Sequence, residues 1–167
     1  LPFDDNAAAK IQSQDVFEHL PQDKLHFVLD EVYRVLSPGG RFRLSLPDYR
    51  SPLLKKRSFY DCDGNVMGDI MMGAQPVYDK TRGEISVKFS PNGRAHLWFP
   101  VYEKLASIIL ASEIRKSEEI AFYQGFREDG TPMTRDIPDE EMFVIRSLPR
   151  DTRAGGLPIS LVVDFVK

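Results

Sequence analysis

The sequence predicts an α/β fold that begins with a βαβ unit, and three observations support this prediction. Residues 9–13 read as a short strand, residues 22–36 have the apolar periodicity of an amphipathic helix, and residues 42–46 alternate apolar and polar side chains. A strongly apolar strand, residues 160–166, ends the chain. Strands that alternate with helices in this way are typical of a sheet with helices packed on it.

The helix is the most clearly defined of these elements. Its apolar residues recur every three or four positions and form one stripe, which consists of Leu25, Val28, Leu29, Val32 and Leu36. Pro21 is typical of a helix start, and Gly39-Gly40 after Pro38 is typical of a helix end. Pro47 ends the strand that follows.

The rest of the chain contains weaker patterns. A hairpin is predicted from strands over residues 84–89 and 94–99, which flank the turn residues Ser90-Pro91-Asn92-Gly93. A second helix is predicted over residues 101–113 and a strand over residues 117–123. We expect a single domain over residues 1–167, with residues 50–95 as an insertion.

Composition excludes several classes of partner. The chain has 167 residues, a net charge of −3 and a pI near 5.6, so it has no overall attraction for nucleic acid or anionic membranes. No apolar run approaches the roughly 18 residues that a membrane span needs. The single cysteine, Cys62, forms no internal disulfide and reads as an incidental turn residue, which fits a cytoplasmic protein.

No metal site is predicted from the sequence. The three histidines, His19, His26 and His96, and the one cysteine show none of the known spacings of metal ligands.

The first 48 residues resemble a known family. The loop Leu-Pro-Phe-Asp-Asp-Asn, the segment Asp-Val-Phe-Glu-His-Leu after the first strand, and the turn Arg-Val-Leu-Ser-Pro-Gly-Gly before the second strand occur in that order. Together they resemble the second half of a class I S-adenosylmethionine-dependent methyltransferase of type 11. The resemblance implies a Rossmann-like sheet that starts at the family's fourth strand, and the closing helix and strands agree in order.

The chain departs from this family in one important respect. It contains no Gly-x-Gly-x-Gly motif, and the family's first three strands have no counterpart. The strand at residues 9–13 should therefore have a free edge, which favours a homodimer or larger assembly through that edge or through apolar surface near it. A missing N-terminal segment is the other explanation.

The resemblance implies S-adenosylmethionine as cofactor and a small molecule as methyl acceptor. It places the cofactor against Ser13, Gln14 and Asp15 and makes His19 the candidate base, although the Glu18-His19 pair could instead be structural. Strand ends and aromatic side chains give the candidate contacts of the acceptor, which are Glu18, Pro47, Asp48, Tyr49, His96 and Trp98. His96 and Trp98 could equally pack in the core.

Two functions remain open at this point. The chain is part of a methyltransferase whose cofactor half is supplied elsewhere, and by itself it is inactive. Alternatively, it is a non-catalytic methyltransferase-like module that serves dimerisation or interaction. A nicotinamide-dependent enzyme has less support, because the same glycine motif is missing.

Overall fold

The computed structural model describes residues 1–90, 95–138 and 142–167, and it confirms the α/β fold class. A five-stranded sheet lies at its centre with the strand order β1-β2-β9-β7-β8. These strands are β1 (Ala8–Gln14), β2 (Leu36–Pro47), β7 (Glu119–Phe126), β8 (Pro132–Thr134) and β9 (Ser160–Val166). β1 and β2 are parallel, whereas the other pairs are antiparallel.

The other elements are short. The helices are α1 (Leu25–Val35), α2 (Pro52–Lys55) and α3 (Tyr102–Leu110), and 3₁₀ turns cover Phe17–His19, Gln22–Lys24, Ile70–Met72 and Glu113–Lys116. Two small sheets pair β3 (Ser58–Tyr60) with β4 (Val66–Asp69) and β5 (Ala74–Asp79) with β6 (Glu84–Phe89). Within the described ranges, no helix has the length and apolar character needed to cross a membrane.

The predicted βαβ unit is present. Its two strands align so that Ser13 lies opposite Leu44. Near the start of β2, Gly39 adopts φ +71°, and a Cβ on Gly40 would lie 2.7 Å from the Ser37 carbonyl and 3.1 Å from that of Ala8. Glycine is therefore needed where the turn passes close to the start of β1.

One face of the sheet packs against α1 and α3 and forms the main core. Alternate residues of β2 point into it, because side chains alternate between the faces of a strand. Its buried members include Leu29, Val32, Phe42, Leu44, Leu46, Leu105, Ile109, Leu161, Val163 and Phe165. Four residues of the predicted stripe, Leu25, Val28, Leu29 and Val32, lie on α1 and pack here, whereas Leu36 is buried in the same core as the first residue of β2.

The opposite face of the sheet contains a buried ion pair. Arg43 is fully buried, and its Nε and Nη2 donate to the two carboxylate oxygens of Asp164 at 2.7 Å each. The same guanidinium donates to the carbonyls of Met142 at 2.7 Å and Pro138 at 2.6 Å. The segment that follows β8 is thereby attached to the sheet.

The hairpin predicted from residues 84–89 and 94–99 is wrong. β6 pairs instead with β5, across a turn in which Asp79 Oδ1 accepts from Thr81 N at 2.8 Å and Gly83 adopts φ +68°. Residues 95–99 form no strand, and the predicted turn residues 91–93 lie outside the described part of the chain. The turn at residues 79–83, which contains Asp79 and Gly83, pairs β6 with β5 on its N-terminal side, so β6 does not pair with the residues that follow it.

The expected edge strand is confirmed. β1 is the outermost strand of the central sheet and pairs with β2 on one side. Most of its residues are exposed or half-buried.

The Arg43–Asp164 pair yields a first prediction. Arg43→Ala should lower the free energy of unfolding by about 3–5 kcal/mol, because it leaves the Asp164 carboxylate buried and less well paired. Urea denaturation measures this change. Arg82→Ala is the control, since Arg82 is 76% exposed and lies 4.0 Å from Asp79; a loss as small as that of the control would contradict the structural role given to Arg43.

Candidate functional site

The candidate site lies at the carboxyl ends of β1 and β2. Because the two strands are parallel, they end at the same edge of the sheet, the usual position of ligand sites in open α/β sheets. After β1 the backbone turns sharply at Asp15, whose φ is +52°, and enters the 3₁₀ turn Phe17–His19. After β2 the chain continues into Asp48 and Tyr49.

Residues 95–98 pack directly against that 3₁₀ turn. Leu97 N donates to the Glu18 carbonyl at 2.8 Å, and the indole N–H of Trp98 donates to the Phe17 carbonyl at 2.9 Å. His19 Nδ1 lies 3.1 Å from the Ala95 carbonyl. These contacts bring His96 next to Glu18 and His19, although the sequence separates them widely.

Glu18, His19 and His96 form a compact cluster. Glu18 Oε1 lies 3.7 Å from His96 Nε2 and 3.9 Å from His19 Nε2, and one ligand atom from each of the three side chains lies within 4.8 Å of the others. Glu18 is fully buried, and neither of its carboxylate oxygens has a hydrogen-bond partner among the described residues. The side chain of His19 is 29% exposed, so the cluster is reached from its side.

Hydrogen bonds set the orientation of both imidazoles. The Tyr49 hydroxyl lies 2.5 Å from His96 Nδ1 and donates to Asp69 Oδ2 at 2.8 Å. Since a phenol has one proton and a carboxylate only accepts, His96 Nδ1 carries the proton in this pair. The Ala95 carbonyl likewise only accepts, so His19 Nδ1 carries a proton too. In the neutral imidazoles, the two Nε2 lone pairs therefore face Glu18.

Burial shifts the pKa values of this cluster. It raises the pKa of Glu18 to about 7, because the ionised carboxylate is poorly solvated. It lowers the pKa of His96 to about 3, with further lowering by the charges of His19, Arg57 and Arg146. His96 is thus neutral at physiological pH.

Two neighbouring carboxylates have their own cations. Asp69 Oδ2 pairs with Arg57 Nε at 2.8 Å, and Asp15 Oδ2 lies 3.3 Å from Arg146 Nε. Among the described residues, Glu18 has no Arg or Lys partner. Of these three acids, Glu18 is therefore the one whose negative charge no Arg or Lys side chain neutralises within the described residues.

The three residues predicted to contact the cofactor differ in whether their side chains already have partners. The Ser13 hydroxyl and Asp15 Oδ1 are buried and have no hydrogen-bond partner in the described ranges. The Gln14 amide is already used, because it donates to the Phe143 carbonyl at 2.9 Å and accepts from Ile145 N at 3.0 Å.

The remaining predicted residues lie around the cluster. Pro47 lies opposite Ser160 at the end of β2, and Trp98 is buried in the main core. Asp48 is buried, with Oδ1 accepting from Arg50 N at 2.9 Å and Oδ2 from Phe126 N at 2.7 Å. Asp48 therefore connects β2 to β7.

Sequence reasoning missed the supporting residues of the cluster. Asp69, Arg57 and the Ala95 carbonyl complete the network, and they lie between positions 57 and 95, far from β1 in the sequence. Only the three-dimensional packing brings these positions to β1, and no local pattern predicts them.

A large hollow lies away from the cluster. It measures about 830 Å³ and is lined by the first half of β7, by Tyr102 and by the charged residues Arg127, Glu128 and Arg135, among others. It contains none of the predicted site residues.

Comparison with known proteins supports the resemblance found in the sequence. The family model described as a methyltransferase domain matches residues 1–44, which include β1, the Glu18-His19 turn and α1. This match confirms the resemblance to methyltransferases. None of the curated protein sequences compared with the chain matches it.

Solved methyltransferase structures are distantly similar to the chain. An S-adenosylmethionine-dependent methyltransferase from Methanosarcina mazei is 16% identical, with a TM-score of 0.47 over 100% of this chain and 62% of that one. One from Mesorhizobium loti is 13% identical, with a TM-score of 0.47 over 100% and 65%. One from Archaeoglobus fulgidus is 13% identical, with a TM-score of 0.49 over 99% and 62%. The chain spans less than two thirds of each of these structures.

Asp48 yields a pH-dependent prediction. Burial raises its pKa from 3.8 to about 6, so protonation favours the folded state. The stability that Asp48 contributes is greatest below pH 3.8 and is lost as the pH rises through 6. Asp48→Asn cannot titrate, so its destabilisation relative to wild type should be about 2 kcal/mol larger at pH 4 than at pH 7.

Denaturant unfolding at the two pH values measures this difference. Asp4→Asn, at an exposed position, is the matched control and should show no such difference. A pH-independent effect of Asp48→Asn would contradict the raised pKa.

Proposed function

We propose that this chain supplies one wall of the active site of an S-adenosylmethionine-dependent methyltransferase that acts on a small molecule. The observation that carries the proposal is the family match over residues 1–44, because this range contains the carboxyl end of β1 and the Glu18-His19 turn. The position at the carboxyl ends of parallel strands supports the same conclusion.

The cofactor would contact Ser13 and Asp15. Their buried and unpartnered oxygens fit a polar ligand, since buried polar atoms of this kind normally have a hydrogen-bond partner. Gln14 contributes backbone rather than side chain, because its amide is engaged by residues 143 and 145. When bound, S-adenosylmethionine supplies an electrophilic methyl group.

The acceptor would lie beside His19. This imidazole is the most accessible member of the cluster, and its Nδ1 is held by the Ala95 carbonyl, so Nε2 is the atom that faces an acceptor proton. Methyl transfer depends mainly on holding the acceptor in line, with a base needed only where the acceptor carries a proton. Tyr49 supports the arrangement through His96.

A second function, as a non-catalytic interaction module, is favoured by one observation. β1 is an edge strand, and an unpaired edge is a template for another strand. The partner would be a second copy of the chain or another polypeptide that supplies the strands beside β1.

The cofactor contacts can be tested by nuclear magnetic resonance. Titration of the isotope-labelled chain with S-adenosylhomocysteine should shift the amide signals of residues 13–19, with a dissociation constant weaker than about 0.1 mM because the glycine-rich wall is absent from this sequence. Ser13→Ala should weaken this binding about fivefold, the effect of one hydrogen bond of about 1 kcal/mol.

Ser86→Ala, in β6 of the insertion, is the matched control and should leave the titration unchanged. Saturated binding whose shifts avoid residues 13–19 would contradict the assigned wall. No shift anywhere up to about 5 mM ligand would contradict cofactor binding by this chain and leave the interaction module as the better proposal.

Light scattering separates the two functions further. An interaction module should form a stable dimer, and a proline at an outward-facing N–H of β1 should dissociate it, since proline cannot donate a hydrogen bond. A strictly monomeric chain at high concentration would contradict self-association through this edge.

A further inference from the structure

We propose that Glu18, His19 and His96 form a binding site for a divalent transition-metal ion of the zinc class. The proposal stands on the geometry of the cluster and does not rest on methyl transfer. A bound ion would occupy the His19 Nε2 lone pair, so it is an alternative to the role of His19 as a base. Two imidazole Nε2 atoms and one carboxylate oxygen converge, with 3.7 Å and 3.9 Å between Glu18 Oε1 and the two nitrogens.

These separations suit a shared ion better than direct hydrogen bonds. They exceed the usual length of an N···O hydrogen bond. Ligand atoms at about 2.1 Å from a tetrahedral Zn²⁺ lie about 3.4 Å from one another. The two distances from Glu18 Oε1 exceed this value by a few tenths of an ångström, whereas the two imidazole nitrogens, which lie within 4.8 Å of each other, must approach by as much as about 1.4 Å.

The second layer of contacts has the form found around metal-bound histidines. Such histidines donate their other ring N–H to a carbonyl or to a carboxylate-linked group, which orients the ring and directs the second nitrogen to the ion. His19 donates to the Ala95 carbonyl, and His96 donates to Tyr49, which in turn donates to Asp69. Both Nε2 lone pairs are thereby directed at Glu18.

The charge balance also favours a cation at this position. Asp69 and Asp15 are paired with Arg57 and Arg146, whereas Glu18 is fully buried and unpartnered among the described residues. A proton on Glu18 would bond to only one of the two imidazoles at a time, and solvent reaches the partly exposed His19. A metal ion satisfies all three atoms at once.

The donor set selects the class of ion. Mg²⁺ and Ca²⁺ prefer oxygen ligands, whereas two imidazoles and one carboxylate suit Zn²⁺ and its first-row neighbours. Three protein ligands leave a coordination position open, as in catalytic zinc sites. The partly exposed His19 places that position on the accessible side of the cluster.

The test uses the full chain after treatment with chelator and dialysis, titrated with Co²⁺ as a spectroscopic probe and then with competing Zn²⁺. We expect one equivalent to bind, with ligand-field absorption in the visible range and a higher melting temperature. His19→Ala should weaken binding by more than about 100-fold, and Tyr49→Phe, which removes an orienting contact, by about 10-fold.

The matched control is His26→Ala, because His26 is the third histidine of the chain and lies on α1 outside the cluster. It should bind Co²⁺ as wild type does. Glu18→Gln, which keeps the shape of the side chain, provides a second ligand variant, and circular dichroism verifies that each variant is folded.

Two results would overturn the proposal. One is the absence of saturable Co²⁺ or Zn²⁺ binding by the folded wild-type chain below about 100 µM. The other is binding that His19→Ala and Glu18→Gln retain at wild-type strength, since this would place the ion elsewhere.

Discussion

The site depends on the packing of residues 95–98 against the 3₁₀ turn at Phe17–His19. Three polar contacts define this packing, and all three involve backbone carbonyls of the two segments: those of Phe17, Glu18 and Ala95. One contact joins two backbone groups, whereas the other two use the Trp98 indole and the His19 ring, so the spacing depends on these two side chains. The rings of His19 and His96 then lie with their centroids 4.8 Å apart and their planes nearly perpendicular.

This packing carries an energetic cost at Glu18. A carboxylate removed from water without a partner is unfavourable by several kcal/mol, and the pKa of about 7 expresses that cost. Proteins usually avoid such groups, and strained or unsatisfied groups concentrate at functional sites. By contrast, Arg43 and Asp164 on the other side of β2 are equally buried but fully paired. The fully paired Arg43–Asp164 contact is typical of a structural ion pair, whereas the unpaired Glu18 carboxylate is typical of a binding site.

The N-terminal part of the fold was predictable because its signals are local. The stripe from Leu25 to Val32 and the alternation around Phe42 each report one face of one element, and the structure confirms both. The false hairpin shows the limit of such signals. Two turn signals, at residues 79–83 and 90–93, compete for the same strand, and the sequence does not rank them. The proximity of Glu18 and His19 was predictable because they are adjacent in the sequence. The position of His96 beside them was not, because it depends on the tertiary packing of residues 95–98.

Residues 57–69 are connected to the cluster through Tyr49, in addition to the contact between the Ala95 carbonyl and His19. Asp69 lies at the end of β4, where Arg57 pairs with it, and it accepts a hydrogen bond from the Tyr49 hydroxyl. Tyr49 accepts a hydrogen bond from His96 Nδ1 only while its own hydroxyl hydrogen points to Asp69. A change in the position of β4 would therefore alter which nitrogen of His96 carries the hydrogen, and with it the lone pair that faces Glu18. Arg57 and Asp69 thus influence the tautomer of His96, a residue outside the two small sheets.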